Sequence, residues 1–114
     1  MSADHLWHVT VLMAGSAAPL IDLRSALHRL CALDPANMGV RYRADGAEVQ
    51  FWDEGPDPAA VADAAAGLWA ASRAATGLPD WSVVGLEVLD RPRLQLRRRR
   101  RVALIRPGAV QEAT

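Results

Sequence analysis

The dipeptide Asp45-Gly46, with an alternating run on each side, constrains this chain more than any other feature. An Asp-Gly pair between apolar alternations is a strong two-residue hairpin signal. A turn at that pair predicts the register of residues 38–43 against residues 47–52. Ala44 faces Ala47, Arg43 faces Glu48, Tyr42 faces Val49, Arg41 faces Gln50 and Val40 faces Phe51. Every apolar pair then shares one face and every polar pair the other, and a slip of one residue mixes them. Arg43 opposite Glu48 adds a favourable cross-strand pair.

The other elements follow from periodicity. Residues 6–13 alternate, with Trp7, Val9, Val11 and Met13 on one face and Leu6, His8, Thr10 and Leu12 on the other. Leu20, Leu23, Leu27 and Leu30 recur at spacings of three and four, so residues 19–32 form an amphipathic helix that ends before Asp34-Pro35. Asp57-Pro58 is a cap followed by a first-turn proline. It opens a helix over residues 58–76, closed by Gly77, with Val61, Ala65, Leu68, Ala71 and Ala75 as its inner stripe. Residues 81–89 read as a strand with Val84, Leu86 and Val88 facing in. The order β, α, β, β, α, β predicts an α+β fold, a ferredoxin-like βαββαβ sandwich whose antiparallel sheet carries two helices on one face.

That domain spans residues 1–90. Residues 91–114 read as a basic C-terminal arm. Arg91-Pro92 breaks the preceding strand, Leu94 and Leu96 alternate as in a short extra strand, and Pro107-Gly108 opens a mobile tail.

Composition enters through charge. The net charge is zero, and all thirteen basic residues are arginine. Residues 1–90 carry five Arg against twelve Asp and Glu, a net of −7. Residues 91–114 carry eight Arg against Glu112, a net of +7. So sharp an asymmetry between two parts of a chain points to a charged partner. No apolar run approaches the ~20 residues of a membrane span. The opening MSADHLWHVTVLMAG has acid and histidine where a signal peptide is basic. Cys31 is the single cysteine, which excludes an internal disulfide and a cysteine-based zinc site. A cytoplasmic domain without cofactor or metal is expected, with Cys31 as a small core residue.

Helices on one face leave the other open. It displays His8, Thr10, Arg41, Arg43, Glu48, Gln50, Trp52, Trp81, Val83 and Glu87. Two readings stand for His8. It is a partly exposed sheet residue, or it does acid/base work beside Glu48 or Glu87, because histidine titrates near neutrality. Trp52 and Trp81 pack an interface, or they stack a planar ligand. His8, Thr10, Arg41, Arg43, Gln50, Trp52 and Trp81 therefore form a candidate sheet-face interface between copies of the chain.

The arm supplies the candidate binding residues Arg91, Arg93, Arg97, Arg98, Arg99, Arg100, Arg101 and Arg106. A forked guanidinium suits phosphate oxygens. If about five phosphates were engaged, affinity would fall several hundredfold between 50 and 200 mM salt. An acidic protein, including the −7 body of this chain or of a second copy, is the other partner that fits.

The segment GLPDWSVVGLEVLDR, residues 77–91, resembles one found in small uncharacterised actinobacterial proteins, and AEVQFWDEG, residues 47–55, is similar too. The resemblance implies a small cytoplasmic domain and assigns no site. The functional expectation is a non-catalytic, homodimeric binding module whose arm contacts nucleic acid or an acidic protein. The alternatives are a small dimeric α+β barrel enzyme using His8, and a structural subunit of a larger assembly.

Overall fold

The computed structural model describes residues 5–99 and 104–113, with residues 97–99 described by backbone alone. The elements run β1 (His5–Ala14), α1 (Leu20–Cys31), β2 (Gly39–Arg43), β3 (Gly46–Gly55), α2 (Pro58–Ala66), α3 (Leu68–Thr76), β4 (Ser82–Leu89), α4 (Arg91–Arg99) and β5 (Val110–Glu112). One sheet holds the five strands in the order β4-β1-β3-β2-β5. The β1–β3, β1–β4 and β2–β3 pairs are antiparallel, and β2–β5 is parallel. The fold is thus α+β with a five-stranded mixed sheet. The expected purely antiparallel sheet with two helices is corrected by β5, by α4 and by a second helix split in two.

Helices α1, α2 and α3 cover one face. Val9, Val11, Met13, Val40, Tyr42, Val49 and Phe51 meet Leu23, Leu27, Leu30, Val61, Ala65 and Trp69 in a single core. Leu23, Leu27 and Leu30 are almost fully buried, and each such burial is worth about 1.5–3 kcal/mol. Asp57 caps α2 by accepting from the Ala60 amide at 2.8 Å. Helix α3 ends at Gly77, whose φ of 79° is a left-handed cap.

The hairpin keeps its faces and changes its register. Arg43 pairs with Gly46, Tyr42 with Ala47, Arg41 with Glu48 and Val40 with Val49. Ala44 and Asp45 form the turn. The shift is by two residues, so parity survives and Tyr42 and Phe51 remain in the core. The cause lies in β1. Gly46 pairs with Ala14, and a Cβ at Gly46 would sit 3.0 Å from the Met13 carbonyl oxygen. The glycine serves close strand approach, and its φ is not positive. The Ala44 and Asp45 carbonyls are then free to accept from the Ala18 and Gly15 amides at 2.8 and 3.2 Å.

The second helical stretch breaks at Gly67, and its buried stripe is Val61, Ala65, Trp69, Ser72 and Thr76. Trp69 stacks on Trp81 with centroids 5.7 Å apart and planes 11° from parallel. Trp81 therefore belongs to the core, not to the outer sheet face, and donates from its indole to the Ser16 carbonyl at 2.8 Å. A bulge between Leu12 and Met13 shifts the β1–β4 register. Past it Val83 packs on the core while Val84 is 65% exposed, the reverse of strict alternation.

Residues 91–99 and 104–113 are built into the fold. The Asp90 side chain accepts from the Arg93 amide at 3.0 Å, and the Leu94 amide donates to the Asp90 carbonyl at 3.0 Å, so Asp90 caps α4. Leu94 and Leu96 lie in this helix and not in a strand. At the far end β5 satisfies the edge of β2. The Val40 amide donates to the Ala109 carbonyl at 2.8 Å and the Ala113 amide to the Tyr42 carbonyl at 2.6 Å. The expected mobile tail is, over residues 109–113, a docked edge strand.

Candidate functional site at the outer sheet face

The outer face is crossed by the C-terminal segment. Leu94 and Ile105 are 5% and 6% exposed, and both lie outside the main core. Gln50 fixes the crossing. It is buried, its Oε1 accepts from the Ile105 amide at 2.8 Å, and its amide nitrogen donates to Glu48 Oε2 at 3.2 Å. Gly39 makes room, because a Cβ there would meet the Arg106 carbonyl oxygen at 2.6 Å and Ile105 Cγ2 at 2.7 Å.

Strand register places the predicted residues. His8 pairs with Trp52, Thr10 with Gln50 and Leu12 with Glu48 across β1–β3, and Thr10 with Glu87 across β1–β4. Gln50 and Glu87 are thus diagonal neighbours of His8. Glu48 lies four residues along from Trp52, roughly 13 Å at ~3.3 Å per residue, which removes it as a direct partner of His8. His8 is buried, not partly exposed, and stands edge-on to Trp52 with centroids 5.1 Å apart and planes at 74°.

Two recesses lie between sheet and segment. One of about 260 Å³ is lined by His8, Thr10, Glu48, Gln50, Glu87 and Leu94 among others. The second, of about 310 Å³, includes His8, Asn37, Trp52, Ile105 and Arg106. Arg41 pairs with Glu48 at 3.5 Å, and Arg43 pairs with Asp45 at 3.4 Å, so the expected Arg43–Glu48 pair is replaced by two others.

The arginines divide by environment. Arg93 bonds Asp90, the cap of its own helix. The Arg91 guanidinium carbon lies over the Trp52 ring, 6.0 Å from its centroid. Arg106 borders the larger recess. Neither Arg91 nor Arg106 forms an ion pair with a described residue. Arg97, Arg98 and Arg99 lie on the backbone of α4, while Arg100 and Arg101 fall outside the described residues.

Sequence reasoning missed Asn37, Leu94 and Ile105. The Asn37 side chain continues the β3 ladder past the end of β2. Its oxygen accepts from the Trp52 amide at 2.8 Å, and its nitrogen donates to the Trp52 carbonyl at 2.8 Å. Only the Asp90-Arg91-Pro92 sequence, a capping residue ahead of an early proline, carried a readable signal for the helix that holds Leu94.

Cys31 is buried and donates to the Met38 carbonyl at 3.1 Å. Burial pushes its thiol up, the Gly108 amide pulls it partly back, and the Asp34 carboxylate adds to the rise. Such a thiol is a packing residue and not a nucleophile. Among the described residues, no group of three or more His, Cys, Asp or Glu is placed to hold a metal ion, and no helix is long and apolar enough to cross a membrane.

A family model described as a domain of unknown function, DUF8830, matches residues 6–104. No curated protein and no solved structure matches the chain.

Proposed function

We propose that this chain, which belongs to the DUF8830 family, is a non-catalytic binding module that holds nucleic acid through its arginine-rich C-terminal segment. In this reading the first four strands are a ferredoxin-like core, and β5 and α4 are additions that seat the segment. The observation that carries it is the state of the arginines. The segment is anchored by apolar side chains, Leu94 and Ile105, while Arg91 and Arg106 stay clear of the described carboxylates of a body with net charge −7. The charge of Arg91 and Arg106, held on a built scaffold and clear of the described carboxylates, is available to phosphate. Leu94 and Ile105 occupy the face that a sheet-to-sheet barrel would need, which favours this reading over a barrel enzyme. Self-association belongs to the proposal through the edge strand β4, where Val84 and Leu86 are exposed beside Leu12 of β1.

Deleting residues 91–114 is an unsuitable test, because it also removes Leu94, Ile105 and β5. The discriminating variant is R97Q/R98Q/R99Q in the full chain, titrated against labelled single-stranded and duplex oligonucleotides at 50 and 200 mM salt. Five engaged phosphates predict a loss of about 130-fold for single strands and about 500-fold for duplex across that range, with a shallower slope in the triple variant. Binding of polyglutamate but of neither nucleic acid would move the reading to an acidic protein partner. Sedimentation of the intact chain tests the dimer.

A further inference from the structure

We infer that Trp52, Arg91 and Arg106 form a pocket for one unpaired base and its phosphate, so that the nucleic acid held is single-stranded. This rests on the reading above and goes further, since charge alone does not choose between strand states. Trp52 is half-buried on the outer face, and its backbone is held from the side by both polar atoms of the Asn37 amide. His8 packs edge-on against the ring and leaves a face open to Arg91. The Arg91 guanidinium carbon stands 6.0 Å from the ring centroid, at the outer limit of a cation–π contact. A base between indole and guanidinium needs two contacts of ~3.5 Å, about 7 Å in all, so the gap must widen by about 1 Å. The stem of an arginine near the start of a surface helix can move that far. Both flanking groups stack on bases of any identity.

Arg106 supplies the phosphate contact. It borders, with Trp52, a recess of about 310 Å³ that Arg91 does not line, so Trp52 is the wall that the recess and the Arg91 slot share. A duplex keeps its bases stacked on each other and offers none to this slot, so it reaches only the outer arginines.

The test uses the intact protein with three 12-residue probes: oligothymidylate, an abasic strand of equal charge, and heparin. Wild type is expected to bind oligothymidylate about 5- to 150-fold more tightly than the abasic strand. W52A is expected to bring oligothymidylate down to the abasic level and leave heparin unchanged, while W52F keeps most of the preference. R106Q weakens both strands, and R91Q reduces the preference. Equal wild-type affinity for the two strands overturns the base pocket and leaves the arm's role standing, and so does a W52A loss shared equally by all three probes. Absence of salt-sensitive binding to either strand removes the nucleic-acid reading itself, and the pocket with it. The comparison of strands on the wild-type protein needs no variant to fold.

Discussion

The two faces of the sheet are held in different ways. The inner face is a continuous apolar layer under three helices, with Val9, Val40, Leu27 and Leu30 wholly excluded from water. The outer face is covered by one crossing segment, held by two inserted side chains, one buried amide and a three-residue parallel strand. The inner layer is the chain's stability. The outer covering is anchored at a few named points, which predicts that it loosens without unfolding the body.

Point substitutions on each face test this contrast. The largest effect is expected from Leu27→Ala, where an emptied core site costs about 2–5 kcal/mol and lowers the denaturant midpoint of the whole molecule. Gly39→Ala is expected to cost about 1–3 kcal/mol, because the new methyl group drives against Ile105 and the Arg106 carbonyl. Its signature is local: faster amide exchange over residues 105–113, with the amides of β1 unchanged. Equal acceleration everywhere would mean the two faces unfold as one. Gln50→Ala removes the acceptor of the Ile105 amide and is expected to cost about 1 kcal/mol, again read as local exchange.

The smallest effect concerns Cys31. Its thiol is raised in the folded chain, so folding favours the protonated form. The contribution is complete below the unfolded thiol value of about 8.5 and is lost as pH climbs through the higher folded value. Denaturant midpoints measured from pH 7 to 10 should fall at the alkaline end. Cys31→Ala should flatten that decline, and alkylation of the native thiol should be slow throughout.

The inner face was legible because burial imposes a period, and period can be read from residue types. Val9, Val11, Leu23, Leu27, Tyr42 and Val49 all fell on the correct side. The hairpin register was not legible, since Asp-Gly signals a turn locally while Gly46 answers to the Met13 backbone on another strand. Trp81 was misplaced because the strand starts one residue later, at Ser82, and the bulge by Leu12 ends strict alternation. Of the candidate site, His8, Thr10, Gln50 and Trp52 were correctly gathered on the outer face. The covering segment was hidden from sequence. A strand as short as Val-Gln-Glu has no period of its own, and Leu94 and Leu96 mimic alternation inside a helix. Contacts between residues 55 positions apart, such as Ile105 with Gln50, leave no local trace.

Hydrogen exchange at the Ile105 amide reports whether the outer face is covered in solution. Docked on Gln50 and buried, that amide should exchange at least about 100-fold more slowly than in an unstructured chain, and Gln50→Ala should release it. Exchange at the unstructured rate in the wild-type protein would contradict the covered face, and with it the pocket assembled there.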